Sequence, residues 1–140
     1  GWEVEPSHHS LRLWSDSAEN LLRPDTAEKD ITEFSSKTRF SSLSTLQFSA
    51  IHRPLRAIFY LASPKDAELE ITRLASRQAF ERMIEHQFVL DDRDRTVLAH
   101  RFENMTQLIQ DVPQYLLSFH RRYDRLTEVR NAILATVERD

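Results

Sequence analysis

Leu55-Arg56-Ala57-Ile58-Phe59-Tyr60-Leu61-Ala62 is a short, nearly unbroken apolar run that stops at Ser63-Pro64. A run of that length with that stop predicts a central β-strand buried on both faces. The flanking sequence follows the same logic. Leu46, Phe48 and Ala50 alternate, as in a half-buried strand, and so does Glu68-Leu69-Glu70-Ile71-Thr72-Arg73-Leu74. Gln114-Tyr115-Leu116-Leu117-Ser118-Phe119 reads as a further strand.

Helical spacing takes over in the C-terminal half. Ala79, Phe80, Met83, Ile84 and Phe88 form one stripe, with Ser76 as the expected N-cap. Leu98, Phe102, Met105, Leu108 and Ile109 form a second, stopped by Asp111-Val112-Pro113. Leu126, Val129, Ile133 and Val137 form a third. A shorter helical turn is expected over residues 15–22, ending before Pro24. The stretch 26–45 holds few large apolar residues and reads as extended, loop-dominated chain with pieces of strand.

The expected fold class is therefore mixed α/β: about four to six strands in one sheet, packed by three longer C-terminal helices. Residues 1–140 fit a single domain or part of one. The expected core is Leu13, Phe48, Leu55, Ile58, Tyr60, Phe80, Ile84, Leu98, Phe102, Leu116, Val129 and Ile133. Trp14 and Tyr115 are expected as partly buried anchors.

Composition narrows the function classes. Hydrophobic residues make up 40% and charged residues 29%, ordinary for a globular chain. The formal charge of −3 gives no global field for nucleic acid or an anionic membrane, so neither is expected as a partner. No apolar run approaches membrane-spanning length. The absence of cysteine removes disulfides and thiolate metal sites, and fits a cytoplasmic setting. The single glycine is Gly1, so a glycine-rich phosphate loop cannot form within these residues.

Several groups have the chemistry for a site. Lys37 and Arg39 stand in a polar extended segment, and Arg53 and Arg56 flank Pro54. Arg12 alternates with Leu11 and Leu13 and so leaves their apolar face. Such cations clamp phosphate when they converge. His120-Arg121-Arg122 with Arg125 follows a strand and reads either as a phosphate-holding loop or, preferably, as an exposed connection. Asp91, Asp92 and Asp94 could bind magnesium, but acids at a solvated helix start explain them better. The six histidines show no metal-ligand spacing, and no metal site is expected.

Three stretches carry a family resemblance: the segment from Pro6 to Ala18 with Arg12-Leu13-Trp14, then Lys37-Thr38-Arg39-Phe40 with Arg53-Pro54-Leu55-Arg56-Ala57-Ile58, and Val112-Pro113-Gln114-Tyr115 with the closing helix. In this order they resemble the C-terminal half of bacterial HPr kinase-like P-loop proteins. The resemblance implies an ATP-dependent serine kinase acting on a protein or peptide, with ATP and magnesium as cofactors of the full-length parent and none held by this chain. It further implies that an N-terminal half carrying the P-loop lies before Gly1, and that the chain alone is inactive. Lys37 and Arg39, then Arg12, are the residues that the resemblance offers for facing phosphate; no catalytic base is assigned. The alternative is a stand-alone, non-catalytic interaction module on the same scaffold. Homo-oligomerisation is left open.

Overall fold

The computed structural model describes residues 1–6, 11–22, 30–31, 37–40, 50–63, 68–86 and 95–139. The expected strand at 46–50 lies almost wholly outside them; only Ala50 is described, and it belongs to no strand. Phe48, Phe88, the acidic group at 91–94, and His8 and His9 also fall outside.

The described elements are β1 (Glu3–Val4), β2 (Leu11–Trp14), α1 (Ser15–Leu21), β3 (Asp30–Ile31), β4 (Lys37–Phe40), β5 (Arg53–Pro54), β6 (Ile58–Leu61), β7 (Glu70–Arg73), α2 (Ser76–His86), α3 (Arg95–Asp111), β8 (Gln114–Ser118) and α4 (Leu126–Val137). The chain is mixed α/β, as expected. The strands do not form one sheet, however. They form a two-stranded ladder, β1-β5, and two three-stranded sheets, β2-β4-β3 and β6-β8-β7. Two compact units result: Gly1–Glu3 with Pro54–Asp140, and Val4–Arg53.

In the larger unit β8 is the central strand, parallel to β6 and antiparallel to β7. The run that reads as a central strand, β6, stands at the sheet edge instead, and its Leu61 is 54% exposed. Gln114, Tyr115 and Leu117 of β8 are buried. Register explains the difference: β8 has neighbours on both sides, so its side chains are screened laterally as well as from above and below. The Phe59 and Tyr115 rings stack across the parallel pair at 5.1 Å.

Helices lie toward both faces. On one, Tyr60 stacks on His86 of α2 at 5.6 Å. On the other, Ile71 of β7 lines an open pocket together with Ala132, Ala135 and Thr136 of α4. The described core is Tyr60, Ala79, Met105, Val112, Tyr115, Leu117 and Val129. Each fully buried side chain of Leu or Val size contributes roughly 1.5–3 kcal/mol. Ile84 and Phe102, expected in the core, are each 47% exposed. Phe80 and Phe102 stack at 5.9 Å where α2 meets α3, so Phe102 spends one face on its helix partner and leaves the other in solvent.

The caps depart from expectation in an instructive way. Ser76 is the first residue of α2, and Ala75 occupies the cap. The Gln78 side chain accepts from the Ala75 backbone N–H at 3.1 Å, which is one half of a capping box. At the other end of the α2–α3 pair, Asp111 closes α3, where the helix dipole disfavours a negative charge. Gln107 and the Trp2 indole both donate to its carboxylate, the latter at 2.9 Å. These donors hold the Asp111 carboxyl below its ordinary value, the Gln107 bond first and the Trp2 bond second.

In the smaller unit, β4 pairs antiparallel with both β2 and β3. α1 follows β2 without a break, with Trp14 in the cap position and no side-chain cap bond.

Candidate functional site

The β2–β4–β3 register sorts residues by face. Directly opposed residues share a face, and alternate positions along a strand return to it. Leu11 pairs with Phe40, and Leu13 with Thr38, which also pairs with Ile31. These positions make one face, largely apolar. Arg12 pairs with Arg39, which also pairs with Asp30, and Trp14 pairs with Lys37. These positions make the other.

Arg12, Arg39 and Lys37 therefore occupy one face of one small sheet. Three cations there meet one carboxylate position, Asp30. Arg12 is exposed and Lys37 half-buried. The Lys37 ammonium stands 5.0 Å from the centre of the Trp14 ring, an attraction of about 0.5–1 kcal/mol at an exposed site.

The row Arg12–Arg39 is the informative one. Like charges directly opposite each other in an antiparallel pair destabilise it. In general an oxyanion bound between opposed cations offsets such a penalty. Lys37, one row further on the same face, adds a third cation. The register thus gathers three basic positions on one face.

Two residues of this face escape a reading of the sequence alone. Asp30 joins it only through the β3–β4 register, which no local pattern announces. Trp14 reads as a partly buried anchor; it is 50% exposed. The alternation that takes Arg12 away from Leu11 and Leu13 also takes Trp14 away, and that signal was available.

Three of the other candidate cations have nearby partners. Arg121 donates to the Ala62 carbonyl at 3.1 Å. Arg122 holds Asp124 through two bonds of 3.0 and 2.7 Å, and this contact is the main reason the Asp124 carboxyl lies below its ordinary value. Arg125 pairs with Glu128 at 2.8 Å. Arg53 lies in β5 and Arg56 just beyond it, both exposed. His86 stacks on Tyr60, and His100 lies 3.8 Å from Glu103. Among the described residues no three His, Asp or Glu side chains are grouped so as to hold a metal ion, and no helix is long and apolar enough to cross a membrane. No protein-family model, curated protein or solved structure matches this chain.

Proposed function

We propose that these residues are the C-terminal portion of an HPr kinase-like, ATP-dependent serine kinase acting on a protein or peptide. In this reading they supply scaffold and a cationic face, Arg12, Arg39 and Lys37, that meets phosphate. A glycine-rich loop from outside these residues grips the triphosphate with magnesium, so the chain by itself transfers no phosphoryl group. Cationic groups fixed in place contribute by neutralising developing oxygen charge rather than by covalent chemistry.

The observation that supports this reading is the β2–β4 register, which gathers on one face the three cations that the family resemblance offers for phosphate. Calorimetric titration with inorganic pyrophosphate tests it. The chain should bind pyrophosphate, and the Arg12→Gln/Arg39→Gln double variant should bind about tenfold more weakly or worse. Equal binding by the double variant would sink the phosphate role. A melting shift with ATP–magnesium that exceeds the pyrophosphate shift and survives the double substitution would sink the division of labour, because it would place a nucleotide grip within these residues.

A second reading is a non-catalytic interaction module. What favours it is that the Gly1–Glu3 and Pro54–Asp140 unit holds all the buried apolar residues among those described.

A further inference from the structure

A cavity of about 470 Å³ opens on the larger unit, lined by Glu68, Leu69, His120, Arg122, Arg125 and Glu128. Its position follows from the sheet. β6 and β8 run parallel and end at the same edge, and β7 begins there, with Glu70 opposite Ser118. Glu68 and Leu69 lead into β7, and His120 follows β8, so the cavity lies beyond the carboxyl ends of the parallel pair. Open α/β sheets place ligands in that location. Its volume suits a small molecule.

Among the described residues the lining is built from tied and paired groups. Arg121 ties the segment after β8 to the Ala62 carbonyl, and Ala62 in turn donates to Leu117 at 2.9 Å. Asp124 grips Arg122 along Nε and Nη2, which fixes the guanidinium plane and leaves Nη1 for another acceptor. Arg125 and Glu128 neutralise each other. Among the described residues two carboxylates, two guanidinium groups and an imidazole line this space; Asp124 and Glu128 already offset the two guanidinium groups, so Glu68 is the uncompensated charge and a simple anion gains little net attraction. A ligand carrying both charges close together satisfies both kinds of wall. Leu69, half-buried, offers an apolar contact beside them.

We propose that this cavity binds a zwitterionic α-amino acid with an apolar side chain. Arg122 and His120 take the carboxylate, Glu68 takes the ammonium group, and Leu69 meets the side chain. The site is independent of the Arg12–Arg39–Lys37 face and of the kinase reading.

L-leucine is the probe, titrated into the 140-residue chain with His120 imidazole resonances as the readout. Leucine should saturate with a Kd near or below about 1 mM. N-acetyl-leucine lacks the ammonium and leucinamide lacks the carboxylate; each should bind about tenfold more weakly or worse. Glu68→Gln should weaken leucine but leave N-acetyl-leucine unchanged, and Arg122→Gln should weaken leucine but leave leucinamide unchanged. Because the blocked ligands act on the unmodified chain, the result stands even where a variant folds poorly. Inorganic phosphate binding as well as leucine would make this a plain anion site and overturn the proposal. So would a flat titration to about 10 mM leucine, or blocked ligands that match leucine.

Discussion

In the β6–β8–β7 sheet the central strand contributes three buried residues, Gln114, Tyr115 and Leu117; in β2–β4–β3 no residue with described burial is buried. Both sheets have three strands, and in both a single strand pairs on both sides. The first is stabilised by burial on two faces. The second has one face of largely apolar positions and another of mostly charged positions, on which Arg12 is exposed. A sheet that stakes little core on its exterior face is free to carry like charges there, and binding surfaces tend to be drawn from such less stable regions. The comparison therefore separates a scaffold from a candidate contact surface within one chain.

Four substitutions or conditions break or sharpen this contrast. Leu117→Ala should cost about 2–5 kcal/mol, by loss of transfer energy and creation of a cavity, whereas Leu13→Ala in the smaller sheet should cost well under half as much. Urea denaturation compares the two; equal losses would erase the distinction. Tyr60→Phe removes the donor that bonds the buried Gln114 Oε1 at 2.8 Å. It should cost about 1–3 kcal/mol, and the Tyr60→Phe/Gln114→Met double variant should recover much of it, because no buried acceptor is then stranded. Recovery is favoured further because Gln114 Nε2 has no partner among the described residues. Arg12→Gln should act in the opposite sense, stabilising the smaller sheet by about 0.2–1 kcal/mol at low salt, with the gain fading as salt rises. A loss of stability at low salt would show that Arg12 and Arg39 do not repel.

The smallest expected effect is a pH dependence. The Asp111 carboxyl is held below its ordinary value by Gln107 and Trp2, so the folded state favours the charged form. Its contribution is complete above the unfolded pKa, near 3.9, and is lost as pH falls through the lower folded value. Trp2 fluorescence should therefore change on acidification below about pH 4, and Asp111→Asn should abolish that step. A step that persists in Asp111→Asn would assign the titration elsewhere.

Helix periodicity carried most of what the sequence shows. The stripes through Leu98 to Ile109 and through Leu126 to Val137 correspond to α3 and α4, and Pro113 stands just past the end of α3. Strand existence was legible too, at 58–61, 70–73 and 114–118. Strand order was not. Ile58-Phe59-Tyr60-Leu61 is more apolar than Gln114-Tyr115-Leu116-Leu117-Ser118, yet the latter sits at the centre, because order depends on long-range pairing and local hydrophobicity cannot report it. The buried polar residue of β8, Gln114, accepts a bond that Tyr60 supplies from fifty-four residues away. For the candidate site, alternation placed Arg12 on the outward face, but only the antiparallel register could set it opposite Arg39 and beside Lys37.

Glu3–Val4 pairs with Arg53–Pro54, and the Leu55 backbone N–H donates to the Trp2 carbonyl at 2.9 Å. The polypeptide thus leaves the larger unit after Glu3 and rejoins it at Pro54, two points that the ladder holds together. Joining Glu3 to Pro54 by a short linker would close a gap that the ladder has already drawn together, at small entropic expense. A chain shortened in that way retains the whole β6–β8–β7 sheet.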